Sequence, residues 1–300
     1  MDRLRSKIQL KDFEVGEFSE ISDRTLAETL ALVFDFPWAT ERALASVELN
    51  CPSVTMEHPS GSFLKIGPYF GGKFCLYYCS NNGKVRTKIL EELVSATEYF
   101  ASFVNGNGVL EGFESYQFVI NPKRFFETSR FEYVPNNNAV LQYFKFDLVF
   151  FVIPVFLMMN QFFTNWSFFR NPYGPLGMLA TLLLIMGPSI YLFFNYRSYW
   201  NNQYLRISRG HRYFLFGDAN GTHEYDKNEI KEVCRYNNSR GRNPWSLSMV
   251  YTILFNDGKR ILFSSLLIND SAFSKKFPDV KIKSEHVFFP TISKVMSKFK

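Results

Sequence analysis

The chain has 300 residues, of which 46% are hydrophobic and 18% are aromatic, with 34 phenylalanines. This apolar content is ample for a core and excludes an intrinsically disordered chain, while only 4 cysteines exclude a small disulfide scaffold. The formal net charge of +6 is uneven, since residues 1–143 sum to −4, residues 144–196 to +1 and residues 197–300 to +9. The basic C-terminal third suits an anionic surface or an acidic partner, and because the sequence has no nucleic-acid-binding motif, we expect no nucleic-acid partner.

Residues 1–143 predict an α+β domain with an antiparallel sheet. The chain begins without the apolar run of a signal peptide, so we expect this domain in the cytoplasm. A polar cap ending at Thr25 predicts a helix that stops at Phe36-Pro37, and a second, amphipathic helix is predicted over residues 90–104. The strands are predicted over residues 54–57, 63–66, 73–78 and 85–89.

Two motifs in this domain resemble functional sites without meeting their requirements. Residues 67–73 satisfy the glycine and lysine spacing of a phosphate-binding loop, but Phe74 replaces the required hydroxyl and a strand follows instead of a helix. A hairpin turn is therefore predicted there. Cys75 and Cys79 have neither zinc nor redox spacing, so these two, with Cys51 and Cys234, are predicted to be buried thiols in a reducing compartment.

The middle of the chain contains two uncharged stretches, residues 148–169 and 175–194. Each has about the length that a helix needs to cross a bilayer, and a short Pro/Gly loop joins them. We therefore predict a transmembrane helical hairpin within residues 144–199, the alternative being a buried hairpin of a soluble core. Asn160 and Gln161 are the candidate intramembrane contacts, either with another membrane helix or within the chain.

The flanking cations predict the orientation of this hairpin. Six cations flank the two stretches, whereas Arg170 alone lies in the loop. By the positive-inside rule, both termini are expected in the cytoplasm of a multi-pass protein of the bacterial inner membrane. The six are Arg130, Lys145, Arg197, Arg206, Arg209 and Arg212.

Residues 200–300 predict many short strands followed by one helix over residues 290–299. Asn256-Asp257-Gly258 marks a hairpin, and Asp218 with Asn220-Gly221 predicts a turn rather than a calcium loop, because the intervening ligands of such a loop are missing.

Short motifs in this region resemble bacterial membrane-linked PH-like domains. The resemblance implies a PH-like β-barrel with a terminal helix. In the N-terminal domain, residues 61–67 (GSFLKIG) resemble small α+β immunity proteins that neutralise bacterial toxins. The PH-like motifs are Arg206-Ile207-Ser208, Phe214-Leu215-Phe216-Gly217, Tyr225-Asp226-Lys227, Glu229-Ile230, Phe255-x-Asp257-Gly258, Lys276-Phe277-Pro278 and Phe288-Phe289-Pro290.

One loop of the PH-like region is a candidate binding site. Residues 239–245 combine Arg240 and Arg242 with Trp245 between two predicted strands. Cations beside an aromatic ring suit an anionic lipid headgroup or an acidic partner, the alternative being a solvated charged loop.

Nothing in the sequence predicts catalysis. The four histidines are isolated, and no hydrolase or metalloprotease motif is present, so we expect a non-enzymatic protein without cofactor or metal. The first hypothesis is an inner-membrane, immunity-type protein that binds a bacterial toxin; the rival is a membrane signalling or scaffold module whose basic PH-like domain binds anionic lipid or a protein. A third hypothesis, transport or pore formation, requires an oligomer built on Asn160 and Gln161. The expected partners are the lipid bilayer and a protein, and the oligomeric state is left open.

Overall fold

A computed structural model describes residues 3–42, 49–116, 121–164, 173–238, 244–278 and 280–299. The chain divides into two compact units. Unit 1 comprises Met1–Arg130 with Ser208–His211, and unit 2 comprises Phe131–Ile207 with Arg212–Lys300.

Unit 1 is built on an antiparallel sheet of seven strands in the order β2-β1-β3-β4-β5-β6-β7. The predicted antiparallel sheet is therefore confirmed, and the sheet also includes two strands at the start of the chain that the sequence pattern did not predict. The strands are β1 Leu4–Gln9, β2 Glu20–Arg24, β3 Ser53–Glu57, β4 Phe63–Pro68, β5 Phe74–Cys79, β6 Val85–Leu90 and β7 Glu114–Ser115.

Three helices contribute to an apolar core on one face of this sheet: α1 Leu26–Asp35, α2 Trp38–Arg42 and α3 Ala96–Asn105. A reciprocal capping box begins α1, because Thr25 Oγ1 accepts from the Glu28 N–H at 3.3 Å while Glu28 Oε2 accepts from the Thr25 N–H at 2.8 Å.

The opposite face of the sheet is covered by irregular chain. Side chains alternate along each strand, so Phe63 and Tyr77 lie on this second face, where they pack with Leu49 and Phe126. Lys65 of β4 is fully buried here, and its ammonium group donates to the Gln9 side chain at 2.9 Å and to the Leu49 and Phe125 carbonyls at 2.6 and 3.4 Å. Burial lowers the pKa of Lys65 to about 8.

Ser208–His211 is held in unit 1 by a buried carboxylate. Glu17, which is 2% exposed, accepts from the backbone N–H groups of Gly210 at 2.8 Å and His211 at 3.1 Å. A Cβ at Gly210 would lie 2.4 Å from the Phe13 ring, so this position accepts only glycine without rearrangement.

Unit 2 contains two four-stranded sheets, ordered β11-β10-β9-β8 and β14-β13-β12-β15. All neighbouring strands are antiparallel except β12 and β15, which are parallel. The strands are β8 Glu132–Tyr133, β9 Tyr204–Arg206, β10 Tyr213–Asp218, β11 Gly221–Asp226, β12 Ile230–Asn237, β13 Val250–Phe255, β14 Arg260–Ser264 and β15 Ile282–His286. Only two residues separate β10 from β11, so Asp218 and Gly221 flank a tight turn, as predicted.

Two long helices and two short ones complete unit 2: α4 Asn137–Thr164, α5 Tyr173–Trp200, α6 Asp270–Ser274 and α7 Ile292–Ser297. The end of α5 enters the core, because Tyr196 is fully buried and donates to the Pro290 carbonyl at 2.8 Å. The start of α4 is fixed by Tyr143, whose hydroxyl lies 3.2 Å from the Ser189 carbonyl and 2.7 Å from Ser248 Oγ. Farther along these helices, Phe156 and Leu184 are 70% and 76% exposed.

The predicted transmembrane hairpin is wrong. Within the part of the chain that the structure describes, neither α4 nor α5 nor any other helix combines the length and the apolarity that crossing a bilayer requires. The prediction of a multi-pass inner-membrane protein with both termini in the cytoplasm depended on this hairpin, and it is corrected with it.

The physical reason lies at the ends of the helices. Aromatic side chains at the end of a membrane span lie at the interface, but Tyr196 and Trp200, which follow the second stretch, are buried in the protein core. At the same end of the helical pair, α4 begins among polar residues, and its first turns pack against the same core through Val140 and Phe144. The count of apolar residues thus included side chains at the end of the second stretch, Leu192 and Phe193, that belong to the protein core.

All four cysteines lie in the described part of the chain, where each is buried and none forms a disulfide. Burial raises the pKa of the Cys75 thiol to about 12 and that of Cys234 to about 11. The prediction of buried thiols is confirmed for all four.

Candidate binding site

The predicted basic and aromatic loop is only partly within the described chain. Arg240 and Arg242 lie outside the described residues. Trp245 lies in a short 3₁₀ turn, Pro244–Leu247, and its ring stacks on Phe289 at 5.8 Å and meets the edge of Phe288 at 6.0 Å. We call Trp245, Phe288 and Phe289 the aromatic cluster.

The aromatic cluster has a partly solvent-facing surface. Phe288 is 55% exposed, and the Trp245 indole N–H is buried with no hydrogen-bond acceptor among the described residues. The exposed ring of Phe288 suits an apolar contact.

The structure does not support the predicted intramembrane position of Asn160. Asn160 is exposed on α4, about 25 Å along the helix axis from Tyr143 at 1.5 Å per residue. The side chain of Gln161 is outside the described set. Because the membrane hairpin is wrong, the intramembrane role proposed for this pair has lost its basis.

A cavity of 690 Å³ lies in unit 2, and sequence reasoning did not find it. Its walls are β8 with the chain just after it, the first turns of α4, and the segment that connects β14 to α6. We call it the amide cavity, after the side-chain amides of Asn136, Asn138, Gln142 and Asn269. The other lining residues are Glu132, Tyr133, Val134, Ala139, Tyr143, Lys145, Leu247, residues 265–268, Asp270 and Ser271.

The β8 wall presents the edge of a sheet. Glu132, Tyr133 and Val134 all line the cavity, although successive side chains of a strand point to opposite faces. Glu132 and Tyr133 can both border one cavity if it runs along the strand edge, and Val134 directly follows the strand. β8 is the terminal strand of its sheet and pairs with β9 alone among the described strands.

The helical wall is one face of α4. Asn138, Gln142 and Lys145 are spaced i, i+4 and i+7, which places them in a row about 10 Å long. The hydroxyl contacts of Tyr143 with Ser189 and Ser248 fix this part of the helix, so the row is held in place rather than free to turn.

The third wall is held by the cap of α6. Asn269 accepts from the Ala272 N–H at 2.9 Å, and its amide donates to Gln142 Oε1 at 3.4 Å. The neighbouring Asp270 pairs with Arg235 at 2.8 Å and accepts from the Tyr251 hydroxyl at 3.3 Å. Burial and the nearby Asp270 raise the pKa of Tyr251, so that hydroxyl remains a donor at neutral pH.

The cavity also contains exposed apolar side chains. Val134 and Leu247 are 41% and 44% exposed, whereas Leu266 and Ile268 are buried and form an apolar floor. A site that combines amides, a strand edge and two exposed apolar residues can bind a partner by hydrogen bonds and apolar contact together.

The sequence contained one signal of this site. Residues 136–138 are three consecutive asparagines before an apolar helix, which predicts a helix start but not a cavity. The opposite wall comes from residues 265–271, more than 120 positions away, and a two-residue strand such as β8 is too short for a periodic pattern.

Comparisons with known proteins bear on unit 2. No curated protein and no solved structure matches the chain. The resemblance of the N-terminal domain to immunity proteins is not supported by these comparisons. Residues 132–276 match the family model of the PH domain, a match that begins at β8 and includes both long helices. The predicted PH-like character of the C-terminal region is thereby confirmed.

Proposed function

We propose that this chain is a non-enzymatic binding protein whose PH domain contacts a protein partner through the amide cavity, and that the partner is a bacterial toxin that the chain neutralises. The observation that supports it is the lining of the cavity, in which side-chain amides lie beside the edge of β8 and exposed Val134 and Leu247.

The charges of the cavity favour a protein over a lipid headgroup. A phosphate site concentrates cationic donors. Among the described lining residues Lys145 is the only cation, and it is accompanied by the carboxylates Glu132 and Asp270. Amides, by contrast, both donate and accept, which matches the alternating groups of a polypeptide backbone.

The toxin as the partner is suggested by two features of unit 1. Residues 61–67, which include most of β4, resemble small immunity proteins, and unit 1 carries a net charge of −2, which suits a cationic surface.

The test is protection of cells. The full chain is produced in cells that express, one at a time, the toxins encoded beside it, and growth is measured with wild type, Val134→Asp and Leu247→Asp. We expect wild type to restore growth and both variants to lose protection, because a carboxylate enters an apolar contact. Val94→Asp is the matched control, since Val94 in unit 1 is 66% exposed and lies outside the cavity. Unchanged killing with every co-encoded toxin, or full protection by both cavity variants, would contradict the proposal.

The second candidate, a scaffold that binds anionic lipid, is favoured by the aromatic cluster, which adjoins the sequence of Arg240 and Arg242. Its test is sedimentation of the full chain with phosphatidylserine vesicles. Salt-sensitive binding that Arg240→Glu and Arg242→Glu together abolish supports this candidate, whereas no salt-dependent binding removes it.

A further inference from the structure

We propose that the amide cavity takes an extended peptide segment of the partner, about three or four residues long, which adds to the free edge of β8 and places a carboxylate opposite Lys145. This rests on the proposed function, because it specifies how the protein partner is recognised.

The backbone of β8 has an outward-facing position. The Ile207 N–H donates to the Phe131 carbonyl at 3.1 Å, so Phe131 and Ile207 are a hydrogen-bonded pair of the antiparallel ladder. Such pairs alternate along the ladder, and Glu132 faces Arg206 in the next, non-bonded pair. The backbone N–H and C=O of Glu132 therefore point away from β9, toward the edge that borders the cavity. An added strand would pair with them.

The dimensions of the cavity agree with a short strand. A residue of extended chain occupies about 3.3 Å along the strand, 4.8 Å between strands and 10 Å between layers, or roughly 160 Å³. The volume of 690 Å³ thus holds about four residues. The row from Asn138 to Lys145 is about 10 Å long, which about three extended residues match.

The side chains around the edge complete the match. The amides of Asn138 and Gln142 face the second backbone edge of an inserted segment, which would otherwise lose its hydrogen bonds to water. Val134 and Leu247 offer contact to an apolar side chain of that segment. Lys145 ends the row, so an acidic residue or a terminal carboxylate is favoured there.

The experiment starts from a library because the sequence of the segment is unknown. Random heptapeptides displayed on phage are selected on the immobilised full chain, and one enriched peptide is synthesised with a fluorescent label. Its affinity is measured by anisotropy for wild type, Glu132→Pro and Glu132→Ala. Proline removes the outward N–H, whereas alanine removes only the side chain, so we expect about a tenfold loss with proline and little change with alanine.

A second measurement does not depend on how the variants fold. Each backbone nitrogen of the peptide is methylated in turn and tested on the wild-type chain. Strand addition predicts that methylation weakens binding most at every second residue, because alternate N–H groups face β8, and less at the residues between, whose N–H groups face the side-chain amides of α4. Charge reversal at Lys145→Glu is expected to change the selected consensus from acidic to basic at one position.

The outcomes separate this inference from the proposed function. An alternating methylation pattern together with the proline effect supports strand addition. No enrichment, or an enriched peptide whose binding has no period of two, overturns it, and it does so even if the chain still protects cells from a toxin. Loss of toxin protection in every assay, with alternating peptide binding intact, instead contradicts the immunity role and leaves the peptide site in place.

Discussion

Segments outside the strands are held onto a sheet in both units, but by different chemistry. In unit 1 the segments around Leu49 and Phe125 are held by the buried ammonium group of Lys65, and Ser208–His211 is held by the buried carboxylate of Glu17. In unit 2 rings hold the short helix α6, beside its Asp270–Arg235 ion pair, since Phe273 is fully buried and its ring centroid lies 4.1 Å from that of Tyr251 and 5.7 Å from that of Phe263.

The two kinds of contact differ in how precisely their partner atoms must be placed. Ring packing needs apolar area and tolerates small shifts, because dispersion and burial are not directional. A buried ammonium group needs all its acceptors in place, because an unsatisfied charge in a core is costly. We therefore expect unit 1 to respond to the loss of single polar atoms, and unit 2 to respond to the loss of volume.

The largest expected effect is loss of volume in unit 2. Phe273→Ala removes a ring that also meets Phe277 at 5.2 Å, and a fully buried Phe→Ala change typically costs about 3–5 kcal/mol. Hydrogen exchange of peptides from β13 and β14, read by mass spectrometry on the full chain, should show this loss. Phe288→Ala is the control, since that ring is 55% exposed and its loss should leave the protection of these strands unchanged. Equal effects of the two variants would contradict the assignment of Phe273 to the core.

The next effect is loss of polar atoms in unit 1. Lys65→Met keeps most of the side-chain volume but leaves the Gln9 oxygen and the carbonyls of Leu49 and Phe125 without their donor, which should cost about 2–3 kcal/mol. Hydrogen-exchange protection of β3, β4 and β5 measures this loss of stability. Lys84→Met, at an exposed lysine in the turn before β6, is the matched control. If Lys65→Met is as stable as wild type, the ammonium group does not hold these segments.

The same contrast explains what the sequence could predict. Strands such as β5 and β6 contain aromatic or β-branched residues, and the pattern placed them within one or two residues of their observed bounds. The start of the chain, LRSKIQ, contains charges that suggest an exposed segment, yet Lys7 is 2% exposed and pairs with Glu57 at 2.8 Å. A period-2 pattern cannot reveal a strand whose inward residues are polar, which is why β1 was missed, and β2 has no buried residue to create such a pattern.

The prediction that the two long helices span a membrane was wrong for the opposite reason. Their apolar content was visible in the sequence, but apolar content does not distinguish lipid from a protein core, and Leu192 and Phe193 belong to the core. For the candidate site, Trp245 was found because an aromatic residue among cations is a local pattern. The amide cavity joins residues 132–145 to residues 265–271, and such a pairing is set by tertiary structure alone.

A smaller effect is the response of unit 1 to pH. The pKa of Lys65 is lowered by burial from its ordinary value to about 8, so between pH 8 and the ordinary lysine value the unfolded chain binds more protons than the folded one. Stability must then rise with pH in this window. Wild type should gain about 1 kcal/mol relative to Lys65→Met between pH 7 and pH 9, whereas Lys84→Met should follow wild type.

Exchange protection of β4, corrected for the pH dependence of the intrinsic exchange rate, measures this difference. Titration of the cysteines is common to wild type and variant, so it cancels in the comparison. If the stability of wild type relative to Lys65→Met instead decreases from pH 7 to pH 9, the folded state favours the charged form of Lys65 more than the unfolded state does.

The smallest expected effect is the stability lost when a helix cap is removed, compared between one helix of each unit. Thr25 and Thr291 both accept a backbone N–H at 3.3 Å, from Glu28 and Lys294 respectively, but only Glu28 returns a hydrogen bond to the cap. Replacing either threonine by alanine should cost about 0.5–1 kcal/mol at neutral pH.

The two helix caps differ in their response to acid. The pKa of Glu28 is lowered, chiefly by the hydrogen bond from the Thr25 backbone, so its stabilising contribution is present above the usual carboxyl range and is lost as the pH falls through the folded value. On acidification, α1 should therefore lose exchange protection before α7, which has a lysine at the equivalent position, and simultaneous loss in both helices would mean that the returned bond contributes nothing to the cap.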